Sequence, residues 1–490
     1  MGRSLILCCI LLVLFHSSSS PFVHCRTLKQ SSKTTTTLNV EASIQQTLNV
    51  LSYNPKVTPF NQEERTSLSS SSMTMLLHSR ASIQKTSHSD YKSLTLARLE
   101  RDSARVRSLN ARLDLAIKGI SKTGLESSDA SANFEDEDIK SPIVSGMSQG
   151  SGEYFSRLGI GKPPSQVYMV LDSGSDVNWL QCAPCAECYQ QTDPIFEPTS
   201  SSSYSPLSCD TSQCKSLEDS ECRNGTCLYQ VTYGDGSYTL GDFATETITL
   251  GSASVDNVAI GCGHTNEGLF IGAAGLLGLG AGSLSFPSQI NVSTFSYCLV
   301  DRDSDSASTL EFGSSLPPDA VTAPLLRNSQ IDTFYYLGLT GISVGGDMLS
   351  IPESTFRIEE SGDGGIIVDS GTAVTRLQTD AYNMLRDAFV AGTKESLPSA
   401  SGLSLFDTCY NLSSISSVEV PTVSFHFPEG KVLPLPARNY LVPVDSEGTF
   451  CFAFAPTSSS LSIIGNVQQQ ETRVGFDLDK YLVGFIPNNC

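Results

Sequence analysis

The apolar positions along the chain follow three patterns, and these divide the chain into three parts. The first is an unbroken apolar run of eleven residues, Leu5 to Phe15, which follows Arg3 and precedes a serine-rich stretch. A positive start, a short apolar run and small residues after it are typical of a secretory signal peptide, whereas a membrane-spanning helix needs about 20 apolar residues. The pattern predicts a signal peptide over residues 1–25, with an uncleaved signal anchor as the alternative.

The second pattern has the period of an α-helix and lies between Asp90 and Gly119. Its apolar residues recur at intervals of three, four and seven and form one face, made of Leu99, Val106, Leu109, Leu113 and Ile117. Such spacing predicts an amphipathic helix. The other faces carry five arginines: Arg98, Arg101, Arg105, Arg107 and Arg112. The helix is either a surface helix with solvated arginines or a basic inhibitory segment that docks on an acidic partner in the same chain.

The third pattern consists of short apolar strings that end in a glycine turn, and it occurs twice in the same order. The strings Val170-Leu-Asp172-Ser-Gly-Ser175 and Ile367-Val-Asp369-Ser-Gly-Thr372 lie 197 residues apart. Roughly 100 residues after each comes an apolar-apolar-Gly string, Leu276-Leu-Gly278 and Ile463-Ile-Gly465. Each string reads as a strand that ends in a tight turn. The repeated order predicts two similar β lobes, each of which contributes one aspartate to a shared cleft.

The charge of the chain is distributed unevenly among these parts. The net charge is −20 over 490 residues, which argues against a nucleic-acid binder because such proteins need a basic face. Residues 26–140 contain 16 Lys+Arg and 13 Asp+Glu, whereas residues 141–490 contain 14 and 38. This contrast favours the second interpretation of the helix, in which a basic pro-region over 26–140 docks on an acidic mature region.

Two aspartates in one cleft have a specific chemistry. Two carboxylates that lie close together cannot both ionise cheaply, so the pair shares one proton and its pKa values belong to the pair. Such a pair can activate a water molecule as a general base and protonate a carbonyl as a general acid. No metal and no other cofactor is needed. Ser175 and Thr372 are placed to donate hydrogen bonds to the outer carboxylate oxygens.

Residues 150–490 resemble the pepsin-like aspartic proteases, and most closely the plant nepenthesin-like and guard-cell group. The resemblance implies that Asp172 and Asp369 are catalytic. It implies support of the catalytic loops by six neighbours, Ser173, Gly174, Ser175, Ser370, Gly371 and Thr372. It also implies a substrate-binding flap with Tyr233, Gly234 and Asp235, in which Tyr233 bonds to Trp179, the single tryptophan. The expected fold is all-β and bilobal, with an N-terminal lobe over 141–325 and a C-terminal lobe over 326–490.

The cysteines indicate an oxidising compartment. Twelve of the fifteen lie in residues 141–490, an even number that predicts six disulfides. The spacing of Cys182, Cys185 and Cys188 could also serve zinc or a redox dithiol, and spacing alone does not choose among disulfide pairings. The family resemblance implies six pairs: Cys182–Cys185, Cys188–Cys262, Cys209–Cys227, Cys214–Cys222, Cys298–Cys490 and Cys409–Cys451.

The remaining features concern processing, partners and rival functions. We expect a monomer that acts on polypeptides and has no membrane anchor. We expect it to enter the secretory pathway and reach the apoplast, with the vacuole or the ER as the alternative destination. Asn224, Asn291 and Asn411 are candidate glycosylation sites.

The serine-hydrolase pattern Gly341-Ile-Ser343-Val-Gly345 lies in a predicted β-hairpin and is read as a chance match. The rival function is a catalytically inactive binding protein on the same fold, such as a glycosidase inhibitor.

Overall fold

The computed structural model describes residues 34–53, 73–83, 88–118, 154–233, 237–268, 272–487 and 490. The predicted signal peptide and the predicted end of the pro-region at residue 140 lie outside these residues. Residues 34–118 are called the N-terminal segment below.

The N-terminal segment contains the predicted helix and also two strands that the sequence pattern did not predict. Its elements are β1 (Thr35–Asn39), α1 (Val40–Ser52), β2 (Met73–Ser79), α2 (Arg80–Ile83) and α3 (Tyr91–Ile117). Helix α3 confirms the predicted helix. Its first turn is capped by Asp90, whose Oδ1 accepts a hydrogen bond from the backbone N–H of Ser93 at 2.8 Å.

The rest of the chain is mostly strands. Its first half contains β3 (Tyr154–Ile160), β4 (Ser165–Asp172), β5 (Trp179–Gln181), β6 (Ser205–Pro206), α4 (Ser212–Lys215), β7 (Ser220–Arg223), β8 (Thr226–Thr232), β9 (Tyr238–Leu250), β10 (Ala253–Glu267), β11 (Gly275–Gly278), α5 (Phe286–Gln289), β12 (Thr294–Cys298), β13 (Ala307–Phe312) and β14 (Val321–Leu326).

The second half repeats this composition with one longer helix. It contains β15 (Tyr336–Leu337), β16 (Gly341–Val344), β17 (Asp347–Met348), β18 (Ile366–Val368), β19 (Thr375–Gln378), α6 (Thr379–Thr393), β20 (Ser399–Ala400), β21 (Cys409–Asn411), β22 (Ser417–Pro421), β23 (Val423–Phe427), β24 (Lys431–Pro434), β25 (Leu441–Pro443), β26 (Thr449–Phe452), β27 (Phe454–Thr457), β28 (Ser462–Ile464), β29 (Thr472–Asp477) and β30 (Leu482–Pro487). Single 3-10 turns lie at Pro198–Ser200, Glu353–Phe356, Pro428–Gly430, Ala437–Asn439 and Asn466–Gln469.

The two halves share one local topology around their Asp-Ser-Gly strings. In the first half β11 runs parallel to β4, with Leu276 opposite Val170, and pairs antiparallel with β5. In the second half β28 runs parallel to β18, with Ile463 opposite Ile367, and pairs antiparallel with β19. The apolar-apolar-Gly strings are therefore the strands that flank the two aspartate strands. This arrangement confirms the predicted all-β fold of two duplicated lobes.

One antiparallel sheet joins the two halves. Its strands lie in the order β3-β2-β13-β12-β29-β30-β14, so both halves contribute to it. Strand β2 of the N-terminal segment lies inside this sheet, between β3 and β13. Strand β1 pairs antiparallel with β22 in the second half. The N-terminal segment is therefore held to both halves by backbone hydrogen bonds as well as by its helix.

Helix α3 buries its apolar face on the second half. Leu99 joins a buried cluster with Ala373, Val374 and Phe406. Val106, Leu109 and Leu113 join another cluster, which contains Ile331, Phe334, Ile367 and Ile463. Burial of these side chains is the main apolar contribution to docking of the helix, at roughly 1.5–3 kcal/mol for each fully buried large side chain.

The twelve cysteines of residues 182–490 form six disulfides, but four of the expected pairings are wrong. Cys298–Cys490 and Cys409–Cys451 are bonded as expected. The observed bonds at the other positions are Cys182–Cys262, Cys185–Cys188, Cys209–Cys222 and Cys214–Cys227.

The strand pairing explains the two bonds that involve Cys182, Cys185, Cys188 and Cys262. Cys182 directly follows β5, which runs parallel to β10, so its Cα lies 5.3 Å from that of Cys262. Cys185 and Cys188 are thereby left to each other, and their Cα atoms lie 6.0 Å apart. A separation near 5.5–6 Å is ordinary for a disulfide.

Among the described residues, no helix is long and apolar enough to cross a membrane. The pattern Gly341-Ile-Ser343-Val-Gly345 lies in the hairpin formed by β16 and β17, as predicted, and no helix follows it directly.

Replacement of Phe389 by alanine tests the packing of α6. The Phe389 side chain is fully buried and stacks on Phe452 with ring centroids 4.4 Å apart. We expect Phe389→Ala to lower the free energy of unfolding by about 3–5 kcal/mol, since it removes a large core side chain and leaves a cavity. Guanidinium unfolding measures this loss. Val390→Ala, at a position that is 37% exposed on the same helix, is the control, and an equal loss in both variants would contradict the packing.

Candidate active site

The first aspartate lies where β4 ends in a tight turn. Asp172 is 1% exposed, and its carboxylate accepts hydrogen bonds from the N–H of Gly174 at 3.0 Å and from the hydroxyl of Ser175 at 2.5 Å. Its own carbonyl accepts from the N–H of Leu279, just beyond β11, at 2.8 Å. The loop is therefore fixed by the parallel strand beside it, and the carboxylate is fixed by the loop.

The second aspartate has the same setting in the other lobe. Asp369 directly follows β18 and is fully buried. Its Oδ2 accepts from the N–H of Thr372 at 2.9 Å and from the Thr372 hydroxyl at 2.6 Å, while Oδ1 accepts from the N–H of Gly371 at 3.2 Å. The hydrogen bonds predicted from Ser175 and Thr372 to the two carboxylates are thus both present.

The two loops also bond to each other through their central serines. The hydroxyl of Ser173 accepts from the N–H of Ser370 at 2.8 Å, and the hydroxyl of Ser370 accepts from the N–H of Ser173 at 3.3 Å. The Ser173 hydroxyl also lies 3.2 Å from Oδ1 of Asp369. These reciprocal bonds set the spacing between the two carboxylates across the lobe boundary.

Gly371 permits the close approach of the loops. A Cβ atom at Gly371 would lie 2.8 Å from Oδ1 of Asp172 and 2.9 Å from Nη2 of Arg105, both tighter than side chains tolerate. The glycine of the Asp-Ser-Gly string is therefore required by the meeting of two carboxylates, and not only by the turn.

A single guanidinium from helix α3 lies between the two carboxylates. Nη1 of Arg105 donates to Oδ2 of Asp172 at 2.7 Å, and Nη2 donates to Oδ1 of the same residue. Nη2 also lies 3.2 Å from both carboxylate oxygens of Asp369, and Nε lies 3.3 Å from Oδ2. All three side chains are nearly fully buried. One cation thus neutralises part of the charge of two aspartates that would otherwise repel each other.

The guanidinium changes the acidity of its partner. Burial by itself raises the pKa of Asp172, but the charge and hydrogen bonds of Arg105, with those of Ser175 and Gly174, outweigh it and hold the pKa below its usual value. The carboxylate of Asp172 is consequently ionised while Arg105 lies beside it.

Two further arginines of α3 bind acidic groups outside the pair. Nη1 of Arg98 donates to Oδ1 of Asp303 at 2.7 Å, and the hydroxyl of Tyr91 donates to the same carboxylate. Arg112 donates to the carbonyl of Gly174 at 3.0 Å and to Glu218 at 2.7 Å. The structure therefore places Arg98, Arg105 and Arg112 on acceptors that lie between residues 172 and 369.

The helix also carries a carboxylate into the site. Asp102 is 3% exposed and bonds to Arg376 and to the N–H groups of Ala373 and Val374, directly beyond the second loop. Burial raises the pKa of Asp102 above its usual value, against the opposing charge of Arg376 and these two N–H donors.

The predicted flap is a hairpin of β8 and β9. Nε1 of Trp179 donates to the hydroxyl of Tyr233 at 2.8 Å, as the resemblance implied. Burial raises the pKa of Tyr233, so its hydroxyl stays protonated. Gly234 and Asp235, the other expected flap residues, lie outside the described residues.

An open cavity of about 130 Å³ lies between the flap and the loop after Asp172. It is lined by residues that include Tyr233, Val177, Leu217, Leu284 and Arg112. Ser175 and Asp176 of the aspartate loop line it as well, so the cavity leaves room for a side chain beside that loop.

Arg105, Asp102 and Arg376 were not among the predicted site residues, although Arg105 had been noted on the basic faces of the helix. A signal for two of them is present in the sequence. The apolar stripe of α3 runs from Leu99 to Val106, and Asp102 and Arg105 stand at helical spacing within that stripe. Charged residues on an otherwise apolar helix face indicate buried partners, because unpaired burial of a charge is costly. Arg376 carries no comparable signal, since it lies in a short strand.

Other predicted features lie away from this centre. The side chains of Asn224, Asn291 and Asn411 are exposed, as a glycosylation acceptor must be. Within the part of the chain that the structure describes, no group of three or more histidine, cysteine or acidic side chains is arranged to hold a metal ion.

Comparison with known proteins agrees with this geometry. Residues 154–314 match the family model described as Xylanase inhibitor N-terminal, and residues 334–487 match Xylanase inhibitor C-terminal. The chain is 50% identical over 435 residues to Protein ASPARTIC PROTEASE IN GUARD CELL 2 of Arabidopsis thaliana, which covers 88% of this chain and 90% of that protein. It is 42% identical to Aspartic proteinase nepenthesin-2 of Nepenthes gracilis, over 80% of this chain and 85% of that protein.

Solved structures show the same fold at low sequence identity. The crystal structure of edgp aligns with a TM-score of 0.57 at 20% identity and covers 68% of this chain and 91% of that one. The crystal structure of conglutin gamma, a basic 7S globulin from lupine seeds, aligns with a TM-score of 0.55 at 22% identity, over 68% of this chain and 91% of that one. The two duplicated lobes, the paired Asp-Ser-Gly loops and the identity to named relatives together show that this chain belongs to the plant, nepenthesin-like group of pepsin-like aspartic proteases.

Proposed function

We propose that this protein is a secreted aspartic endopeptidase that is made as a zymogen and hydrolyses peptide bonds at acidic pH. The observation that carries the proposal is the pair of matching loops that hold Asp172 and Asp369 on one guanidinium. The family relatives named as aspartic proteases support the same reaction for this chain. The six disulfides support an oxidising compartment, in line with the secretory pathway.

The proposed reaction begins once Arg105 has left the two aspartates. Loss of the cation removes the largest of the effects that lower the pKa of Asp172, and two neighbouring carboxylates then share one proton. A water molecule held between Asp172 and Asp369 attacks the scissile carbonyl carbon. One aspartate takes the proton of the water while the other protonates the carbonyl oxygen, which gives a neutral tetrahedral intermediate. Tyr233 closes the flap over an extended peptide.

The N-terminal segment is the proposed inhibitor. The guanidinium of Arg105 occupies the position between the carboxylates where the water would be held, and α3 fills the cleft on both sides of it. A surface helix with solvated arginines, the alternative weighed from the sequence, does not account for the buried Arg98 and Arg105 side chains.

The same contacts supply a response to acid. The pKa of Asp172 is lower when the helix is docked than it is in a free aspartate. The ionised carboxylate therefore stabilises docking at any pH above the pKa of a free aspartate, and this stabilisation is lost as the pH falls through the lower pKa of the docked state. Acid therefore favours release of the helix. Asp102 acts in the opposite sense, because its pKa is raised when docked. The acid response thus depends on the contact between Arg105 and the two aspartates.

Replacement of either central aspartate tests the reaction. We expect Asp172→Asn and Asp369→Asn each to lower peptide cleavage by the acid-treated protein by at least about a thousandfold, since asparagine can neither accept nor return the proton. A fluorogenic peptide assay with and without pepstatin measures the loss, and circular dichroism checks the fold. Asp347→Asn, at the exposed first residue of β17, is the control. Retained cleavage in either site variant would overturn the assignment.

The inactive alternative gives a different result in the same assay. A binding protein on this fold would leave the peptide intact at every acidic pH even after the N-terminal segment has been removed. The presence of both Asp-Ser-Gly strings and of the Trp179–Tyr233 hydrogen bond favours the enzyme.

Replacement of Arg105 tests the inhibitor. Removal of one partner from a buried charge pair costs about 3–5 kcal/mol. We therefore expect Arg105→Gln to raise the pH at which activity first appears by at least about one unit, because docking of the helix is then already weakened before acid protonates any carboxylate. A fluorogenic peptide assay of samples incubated over a series of pH values measures the pH at which cleavage first appears. Arg107→Gln, on the exposed face of α3, is the control, and an unchanged activation pH in Arg105→Gln would refute this mechanism.

A further inference from the structure

Asp102 binds to three donors that belong to the wall of the cleft. Oδ1 of Asp102 accepts from the N–H of Ala373 at 2.5 Å and from the N–H of Val374 at 3.2 Å, and Oδ2 accepts from Nη2 of Arg376 at 2.5 Å. Asp102 is 3% exposed and Arg376 is 4% exposed. A buried carboxylate held by a guanidinium and two backbone amides is a complete anion site, with donors on both of its oxygens.

These donors continue the loop that holds Asp369. The N–H of Thr372 points to Oδ2 of Asp369, whereas the next two N–H groups along the chain point to Asp102. The guanidinium of Arg376 is fixed beside them, because its Nη1 donates to the carbonyl of Val374 at 3.1 Å. Arg376 belongs to β19, which has strands β27 and β28 as neighbours. The site is therefore built on a rigid element and does not depend on the helix for its shape.

Release of α3 leaves these donors without their acceptor. A guanidinium and two amides that have lost a partner bind strongly to any carboxylate that replaces it, because the cost of leaving them unpaired is high. The substrate occupies the cleft once the helix has left. Building on the proposed function, we propose that Arg376 and the N–H groups of Ala373 and Val374 form a carboxylate-binding subsite that takes an acidic side chain of the substrate in the released enzyme.

The position of Asp102 on the helix limits where that side chain stands in the substrate. Asp102 precedes Arg105 by three residues, about 4.5 Å along the helix axis at ~1.5 Å per residue. An extended peptide rises about 3.3 Å per residue. The subsite thus serves a substrate residue within roughly three positions of the bond that the two aspartates cleave, allowing for the length of the side chain.

The charges near the subsite favour an anion at this one position. Asp369 lies on the same loop but is turned towards Thr372 and Gly371, and Arg105 leaves with the helix. The apolar neighbours that share the cluster of Ala373 and Val374 include Phe406, Val442 and Val444. Asp102 is therefore the carboxylate that neutralises Arg376 in the docked chain, and its departure leaves a positive site in a cleft whose centre is acidic.

Matched peptides test this subsite. Each pair of fluorogenic peptides differs only by Glu or Gln at one of three positions on either side of the scissile bond. For the acid-activated protein we expect kcat/KM at about pH 5.5 to favour Glu over Gln by about tenfold at one position, since a charge-assisted hydrogen bond replaces a neutral one. The ratio should fall towards one as the pH drops below about 4.3, where the glutamate side chain of the substrate becomes neutral.

Variants of Arg376 test whether this residue causes the preference for the Glu peptide over the Gln peptide. We expect Arg376→Gln to abolish the preference for Glu, and Arg376→Lys to keep part of it because the charge remains. Arg376→Gln also leaves the carboxylate of Asp102 without its cation in the docked chain, which could disturb the fold. In the double variant Asp102→Asn/Arg376→Gln both charges are absent, so no buried charge is left unpaired. Arg357→Gln, at an exposed arginine, is the control and should keep both the activity and the ratio. The ratio between paired peptides, and not the absolute rate, is the readout.

The outcomes separate this proposal from the proposed function. Equal kcat/KM for Glu and Gln at every position, or a preference that persists in both variants with Gln at residue 376, would overturn the subsite while leaving the peptidase intact. Cleavage of neither peptide would refute the proposed function. In that case the affinity of the activated protein for the same labelled peptides, measured by fluorescence anisotropy, still decides: tighter binding of the Glu peptide that depends on Arg376 supports the subsite, and equal affinities reject it.

Discussion

Charge pairing between Arg105 and the two aspartates is the interaction on which the rest of the site depends. The two loops are joined by the reciprocal bonds of Ser173 and Ser370, and they place the carboxylates of Asp172 and Asp369 close together as a buried concentration of negative charge. Burial of such charges without a counterion is costly, and the guanidinium supplies that counterion in the docked chain. The geometry that is useful for acid-base chemistry therefore also needs either a counterion or a shared proton for its two buried carboxylates.

Charged side chains of helix α3 lie opposite side chains of the opposite charge in the cleft. Its arginine lies on the two carboxylates, and one turn earlier its carboxylate lies on Arg376. Opposite charges alternate along the helix and along the wall opposite it. This complementarity fixes the register of the helix, since a shift by one turn would place Arg105 next to Arg376 and Asp102 at a distance from its donors.

The duplicated topology explains how two distant strings of sequence become one site. Each Asp strand lies beside a parallel apolar-apolar-Gly strand, and the N–H and carbonyl groups of these neighbours fix the loop. The order of the strings was visible in the sequence, and so were the capping roles of Ser175 and Thr372. The reciprocal bonds of Ser173 and Ser370 were not visible in the sequence, because they join two residues in different lobes that are 197 positions apart in the chain.

The strands that end in Asp-Ser-Gly, the periodic helix between Asp90 and Gly119 and the even set of cysteines could all be predicted from the sequence, because they follow from local periodicity and composition. The partners that those residues meet became known only from the three-dimensional arrangement of the chain. The parallel pairing of β5 with β10 joined Cys182 to Cys262, against the expected pairing. The docking of α3 selected Arg105 from five arginines and matched Asp102 with Arg376. Partner choice is a matter of long-range distance, which the local pattern of a chain does not encode.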